Sequence, residues 1–281
     1  MKILVVGASS YVGAYIYNCL RKNNNFIVKG TYFSNKLFED IEFLDIRDCD
    51  KVNDLILREN PDIVIHVAAK ADGYWCEDNF DEAVAVNEQG TQNIVEAVNK
   101  INSQLIFISS YAAQNNDFVY GKTKNKGEDI VKQVKKGYVI IRPSLILGVS
   151  LNVSNDRDFN NLLKSIKNRS CPAYDISWKF QPTWLKHLFE VIDELIYRMA
   201  TNKQLINEII PVAVPEVKSK YHVAYDILGN FGLYPEKQDF HDSGVSIHNL
   251  DKLAELNLPT YNYKEMIEGI VKEIKDYFSE R

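Results

Sequence analysis

A doubly wound parallel α/β sheet followed by a smaller α+β portion is the fold this sequence predicts, and three observations predict it. The first half alternates short Val- and Ile-rich runs with longer helical patterns, which is the signature of βαβ units around a parallel sheet. A glycine turn begins at Gly7, directly after the first apolar run. After Pro143 the alternation stops and helices separated by polar loops take over.

Taken in order, strands are predicted at Lys2 to Val6, Phe26 to Thr31, Ile41 to Leu44, Ile63 to Val67, Leu105 to Ser109 and Tyr138 to Arg142. Helical spacing of apolar residues fills the gaps, from Tyr11 to Lys22, Lys51 to Arg58, Glu82 to Asn99 and Tyr120 to Lys136. In the second half, helices are expected at Phe159 to Lys167 and Leu185 to Met199, and a strand at Glu208 to Val214. Tyr221 to Gly229 and Tyr263 to Phe278 read as covering helices, with Gly229 and Gly232 near the end of the first.

Composition excludes several classes. Apolar residues make up 46% and charged residues 25% of the 281, near the average for globular proteins, so neither a disordered nor a fibrous chain is expected. A formal charge of −5 gives no electrostatic reason to bind nucleic acid or an anionic membrane. The opening residues run straight into a strand, and no later run approaches a membrane span, so a cytoplasmic protein is expected. Cys19, Cys49, Cys76 and Cys171 are scattered, as are the five histidines, and no metal is expected. A homodimer is compatible with the sequence.

In Gly7-Ala8-Ser9-Ser10-Tyr11-Val12-Gly13, Gly7 permits the tight turn and Gly13 lets the following helix pack close to the strand. A pyrophosphate over that helix N-terminus would meet free N–H groups and the positive end of the dipole. Gly7, Ser9, Ser10, Tyr11, Val12 and Gly13 are therefore the expected phosphate cradle of a Rossmann-type domain, with Ser10 in place of the middle glycine. We place this nucleotide-binding domain at 1–148, later segments returning to it, and a mainly substrate-binding portion at 149–281. At the end of the second strand a carboxylate would select NAD by bonding its ribose 2′-OH. No acid stands near Thr31, so NADP(H) is preferred, with Ser34 and Lys36 as phosphate contacts; NAD(H) remains open, as does a plain solvated loop.

Tyr120 and Lys124 form a Tyr-x-x-x-Lys pair, which a helix sets on one face a turn apart. A cation so placed lowers a phenol pKa and eases proton exchange with a carbonyl oxygen. The pattern alone is weak among 16 tyrosines, and Tyr32 with Lys36 also matches it. Context selects Tyr120, because it opens a helix after the fifth strand, whose carboxyl end carries Ser109 and Ser110. Ser110 would face the ligand crevice and hold a substrate carbonyl oxygen.

These residues, with Gly30-Thr31-Tyr32, Asp45-Ile46, His66 to Ala69, Val86-Asn87, Gly90-Thr91, Asn93 and Ile141 to Ser144, resemble the extended short-chain dehydrogenase/reductase superfamily. The resemblance is to its dTDP-4-dehydrorhamnose reductase branch, which also matches at Pro182-Thr183 and Leu250 to Leu253. It implies that Asp45 and Ile46 flank the adenine, and that Ala68, Ala69 and Lys70 line the cofactor. It further implies that Lys124 binds the nicotinamide ribose, and that Pro143 and Ser144 lie near the carboxamide. Asn87 would contribute either a cofactor-side proton relay or a structural bond. The implied activity is reduction of a keto group on a nucleotide-linked deoxysugar, with Ser110, Tyr120 and Lys124 catalytic.

Two departures qualify the likeness. Only nine residues separate Ser110 from Tyr120, so one wall of the substrate pocket is expected to be trimmed. Tyr111-Ala112 stand where sugar dehydratases carry Asp-Glu, which removes the acid a dehydration needs. A sugar-nucleotide epimerase and a non-catalytic NADP-binding regulatory subunit, like that of methionine adenosyltransferase, are the rival readings. Trp178, Trp184, Tyr74 and Trp75 are candidates for stacking on a base or sugar, against a core-packing alternative.

Overall fold

β1 (Lys2–Val6) is buried over four consecutive residues, Ile3 to Val6, as a central parallel strand covered on both faces must be. The structure, a computed structural model, describes residues 1–114, 117–153, 157–201, 207–241 and 244–280. The chain continues through α1 (Tyr11–Leu20), β2 (Ile27–Tyr32), β3 (Glu42–Phe43), α2 (Cys49–Glu59), β4 (Ile63–His66), α3 (Gly73–Asp78) and α4 (Phe80–Val84). A π turn (Ala85–Gln89), α5 (Gly90–Lys100), β5 (Gln104–Ile108), a 3₁₀ turn (Tyr111–Gln114), α6 (Val119–Val131) and β6 (Tyr138–Pro143) follow.

Next come β7 (Ile146–Leu147), α7 (Asp158–Asn168), β8 (Tyr174–Asp175), β9 (Lys179–Phe180), β10 (Thr183–Trp184), α8 (Leu185–Ala200) and β11 (Glu208–Val212). The chain ends with α9 (Lys220–Leu228), β12 (Lys237–Gln238), β13 (Val245–Ser246), α10 (Asp251–Glu255) and α11 (Tyr263–Ser279). Among the described residues no helix is long and apolar enough to cross a membrane.

Among the described residues, seven strands form one sheet in the order β11-β6-β5-β4-β1-β2-β3. β1 pairs parallel with both β2 and β4, and β4–β5 and β5–β6 are parallel as well. The chain therefore winds one way from β1 to β3 and the other way from β4 to β6. The carboxyl ends of β1 and β4 form the switch point where open sheets of this kind bind ligands. On one face, Leu4, Val6, Val64, Leu105, Phe107 and Ile140 pack against Val52, Leu55 and Ile56 of α2 and Ile94, Val95 and Val98 of α5.

The expected helix from Glu82 to Asn99 is present but interrupted, with α4 and α5 joined by the π turn. α6 ends at Val131 rather than Lys136. There the backbone tightens into i+3 bonds, Gln133 N to Ile130 O and Val134 N to Val131 O, which brings Val134 into the core. α3 was not foreseen: six residues are too few to show periodicity, although Asp72 caps it by accepting from Trp75 N at 2.9 Å.

The chain separates into two compact units, Met1–Arg142 with Ile192–Ile210, and Pro143–Val191 with Pro211–Arg281. Among the described residues, the second unit holds three parallel two-residue pairings, β7–β10, β8–β12 and β9–β13. Asp175 organises one loop there. It accepts from Ser177 N at 2.9 Å, Ser177 Oγ at 2.6 Å and Trp178 N at 3.0 Å, and these bonds hold its carboxyl down at about 2 despite burial.

Candidate active site

At the carboxyl end of β1, Gly7 adopts φ +90°, a conformation that side-chain-bearing residues avoid. A Cβ there would also lie 2.8 Å from Ala68 N, and one on Gly13 would lie 2.0 Å from Gly7 O. Ser10 caps α1 by accepting from Gly13 N at 3.0 Å, and its hydroxyl proton is not consumed by that bond. The first turn of α1 carries no acidic residue, so the positive end of the helix is not neutralised by its own sequence. Ser9 and Tyr11 are buried, and Ser10 and Val12 half-buried. A cradle that a Cβ would fill, at an uncompensated helix N-terminus, fits the pyrophosphate of a dinucleotide.

Thr31 is turned inward. It is 2% exposed, its Oγ1 accepts from Gly7 N at 3.1 Å and its carbonyl from Ala8 N at 2.7 Å, so it braces the glycine turn. Ser34 and Lys36 are exposed, and Lys36 lies 3.6 Å from Glu39. Asp45 receives Arg47 N at 3.0 Å and the Arg47 guanidinium at 2.6 to 3.1 Å, which holds its carboxyl below the usual range. Arg47 also binds Glu82 at 2.7 Å. Ile46 is buried, and its carbonyl accepts from Asn93 Nδ2 at 2.9 Å.

The loop after β4 carries Ala68, Ala69 and Lys70, all half-buried. Asn87, delivered by the π turn, clamps it: Lys70 N donates to Asn87 Oδ1 at 2.8 Å, and Asn87 Nδ2 donates to Lys70 O and to Thr123 Oγ1, both at 3.0 Å. Both amide protons are thereby used, and Asn87 is 2% exposed. The Lys70 ammonium sits 4.3 Å from the centre of the Trp75 ring. Beneath the loop, Thr91 donates to Asn87 O at 2.7 Å, so His66 Nε2 must carry the proton it shares with Thr91 Oγ1 at 3.1 Å. Burial, reinforced by Lys124, pushes this imidazole down to about 3.

Ser110 follows β5 and opens the 3₁₀ turn, its Oγ accepting from Ala112 N at 3.2 Å. Asn125 of α6 ties that turn down through Ala113 O at 2.9 Å. Tyr120 is half-buried beside Trp75, Cys76, Ala83 and Val119. Lys124, one turn on, is 2% exposed; its Nζ donates to Ile108 O at 2.9 Å and lies 4.1 Å from the centre of the Phe107 ring. Burial pushes it down to about 7, and Glu128 partly offsets this. Ser110, Tyr120 and Lys124 thus all belong to one rim of the first unit. Residues 115 and 116, within the shortened loop, lie outside the described residues.

Glu128 and Arg142 were missed as site residues. Glu128 is 1% exposed and accepts from Ser109 Oγ at 2.5 Å and from Arg142 Nε and Nη2 at 2.8 and 2.5 Å. The pair fixes α6 to the residue before Ser110 and to the end of β6. A signal was present: Glu128 falls four residues after Lys124 on the same face, and Arg142 interrupts an apolar strand.

Pro143 ends β6, and Ser144 N donates to Thr183 Oγ1 at 2.9 Å. Of the aromatic candidates, Trp184 is a core residue, 4% exposed and bonded to Glu273 at 3.0 Å. Trp178 packs on Phe180 with ring centres 4.6 Å apart and planes tilted by 30°, and donates to Ser246 Oγ at 3.2 Å. Tyr74 is 89% exposed.

The sequence pattern described as the RmlD substrate binding domain matches residues 1–246. The chain is similar to the probable low-salt glycan biosynthesis reductase Agl14 of Haloferax volcanii, 26% identical over 171 residues, 55% of this chain and 57% of that protein. It is also similar to methionine adenosyltransferase 2 subunit beta of Xenopus tropicalis, 23% identical over 235 residues, 79% of this chain and 66% of that protein. The matched stretches thus span between about half and two thirds of these relatives. The crystal structure of dTDP-4-dehydrorhamnose reductase from Bacillus anthracis str. Ames, in complex with NADP, shares the fold at a TM-score of 0.80, with 19% identity and 98% of each chain covered.

Proposed function

The chain belongs to the RmlD substrate binding domain family, and from that premise we propose that it uses NAD(P)H to reduce a keto group on a nucleotide-linked deoxysugar. One observation carries the reading. Tyr120 and Lys124 stand a turn apart on α6, with the buried Lys124 ammonium 2.9 Å from the carbonyl of Ile108, two residues before Ser110.

The Gly7–Gly13 turn would hold a nicotinamide cofactor, which would supply the hydride when bound. Ser110 Oγ holds the ketone oxygen, Tyr120 Oη gives it a proton, and the Lys124 ammonium stabilises the phenolate left behind. Lys124 would also bind the nicotinamide ribose. Ala68, Ala69 and Lys70 would line the cofactor, with Asp45 and Ile46 holding its adenine and Pro143 and Ser144 its carboxamide. Asn87 contributes by holding Lys70 and Thr123 in place. NADP(H) is the preferred form, because no acid stands at Thr31 and the exposed Ser34 and Lys36 can meet a 2′-phosphate. Residues 149–281 supply most of the sugar-nucleotide contacts.

The test follows NADPH and NADH by absorbance against a panel of nucleotide-4-ketosugars. Ketosugar-dependent consumption of NADPH is expected. Tight cofactor binding without turnover on any panel member would favour the second reading, a regulatory subunit, which the likeness to a methionine adenosyltransferase subunit supports. NAD that stays bound through purification and turnover would favour an epimerase.

A further inference from the structure

α6 starts without a cap of its own. Its N-cap residue, Phe118, is extended (φ −108°, ψ 149°) and makes no side-chain capping bond, and the first turn carries no acidic residue. The N–H of Val119, the first helical residue, is taken from elsewhere: it donates to Glu77 Oε1 at 2.6 Å, across 42 residues of sequence. Glu77 stands on α3, which Asp72 caps and whose Cys76 packs against Val119 within the cluster that includes Tyr120. A carboxylate on an orphan N–H at a helix N-terminus combines a charge-assisted hydrogen bond with attraction to the positive end of the dipole. Tyr120 is the next residue along.

We propose that Glu77 is a positioning residue for Tyr120: it fixes the first turn of α6 from α3 and so sets where the phenol stands. The inference rests on the reading of Tyr120 as the acid. It assigns to Glu77 no contact with substrate or cofactor.

Three variants test it: Glu77→Ala removes the acceptor, Glu77→Gln keeps an acceptor oxygen without charge, and Val119→Pro removes the donor. Proline is tolerated at the first helical position, and Phe118 already has the extended backbone a pre-proline residue needs. On a ketosugar that the wild type reduces with NADPH, Glu77→Ala lowers kcat about tenfold with KM for NADPH little changed, as a misplaced catalytic group does. Glu77→Gln restores most of kcat, and Glu77→Ala adds nothing further in the Val119→Pro background. Wild-type kcat in Glu77→Ala, or a full additional loss on top of Val119→Pro, overturns the proposal.

A second readout needs no substrate. Amide exchange at Lys122, whose N–H makes the first bond inside α6 to Phe118 O, accelerates about tenfold in Glu77→Ala while Ile106 of β5 is unchanged. If the wild type reduces no ketosugar the reductase reading fails, and unchanged Lys122 exchange overturns the role of Glu77 on its own.

Discussion

The two ends of the strand rim in the first unit are made in opposite ways. At the β1–α1 turn the candidate site is made by leaving atoms out: Gly7 and Gly13 stand where a Cβ would strike backbone at 2.8 and 2.0 Å. At the β5–α6 end it is made by burying charge, with Lys124 and Glu128 at 2% and 1% exposure and Arg142 paired to Glu128. The first arrangement is intolerant of added volume and carries no Asp, Glu, Lys or Arg between Gly7 and Gly13. The second tolerates changes of volume better than changes of charge, and its behaviour depends on pH.

Removing charge on the α6 side has the largest expected effect on stability. Glu128→Ala leaves the Arg142 guanidinium, 15% exposed at its side chain, without its partner, and should cost about 3–5 kcal/mol in urea unfolding. A variant as stable as the wild type would remove the contrast. Adding volume at the turn comes next. Gly13→Ala must push Gly7 O aside and should cost about 1–3 kcal/mol, with NADPH binding weakened by more than tenfold in fluorescence titration. Unimpaired binding would mean the turn has slack.

The smallest stability effect is expected at Lys124, where it runs opposite to activity. Lys124→Met should abolish ketosugar reduction yet leave stability at pH 6 unchanged or raised, because the charge is costly to bury. The folded pKa falls from 10.5 to about 7. Between those values the unfolded chain binds more protons than the folded one, so this group makes the wild type more stable as pH rises from 7 to 10.5. The methionine variant lacks that rise. Parallel pH–stability curves for the two proteins would show that Lys124 is not desolvated.

The same contrast explains what was legible in the sequence. The glycine turn is local, its spacing and position after the first strand are visible in one dimension, and the structure forms it where the pattern puts it. The parallel sheet was equally readable from the alternation of apolar runs. That Tyr120 and Lys124 share one helix a turn apart could be read because a helix makes their spacing a geometry. What holds them could not: Glu128 meets Arg142 14 residues later, Asn87 meets Lys70 17 residues earlier and Thr123 36 later, and Glu77 meets Val119 42 later. Such partners are chosen by tertiary packing. Thr31 shows the same limit: the position reads as a cofactor selector, and the bond its side chain accepts from Gly7 N is visible only in three dimensions. In the second unit, two-residue strands such as β8 and β12 are too short to leave a periodic trace.

The most direct test of the central claim is turnover by Tyr120→Phe, with NADPH binding measured in the same protein. The account predicts that NADPH binds as in the wild type and that ketosugar reduction falls by about 10²–10⁴-fold, the range for loss of a general acid. Wild-type turnover in Tyr120→Phe would contradict it, and would move the proton donor to another group on the rim.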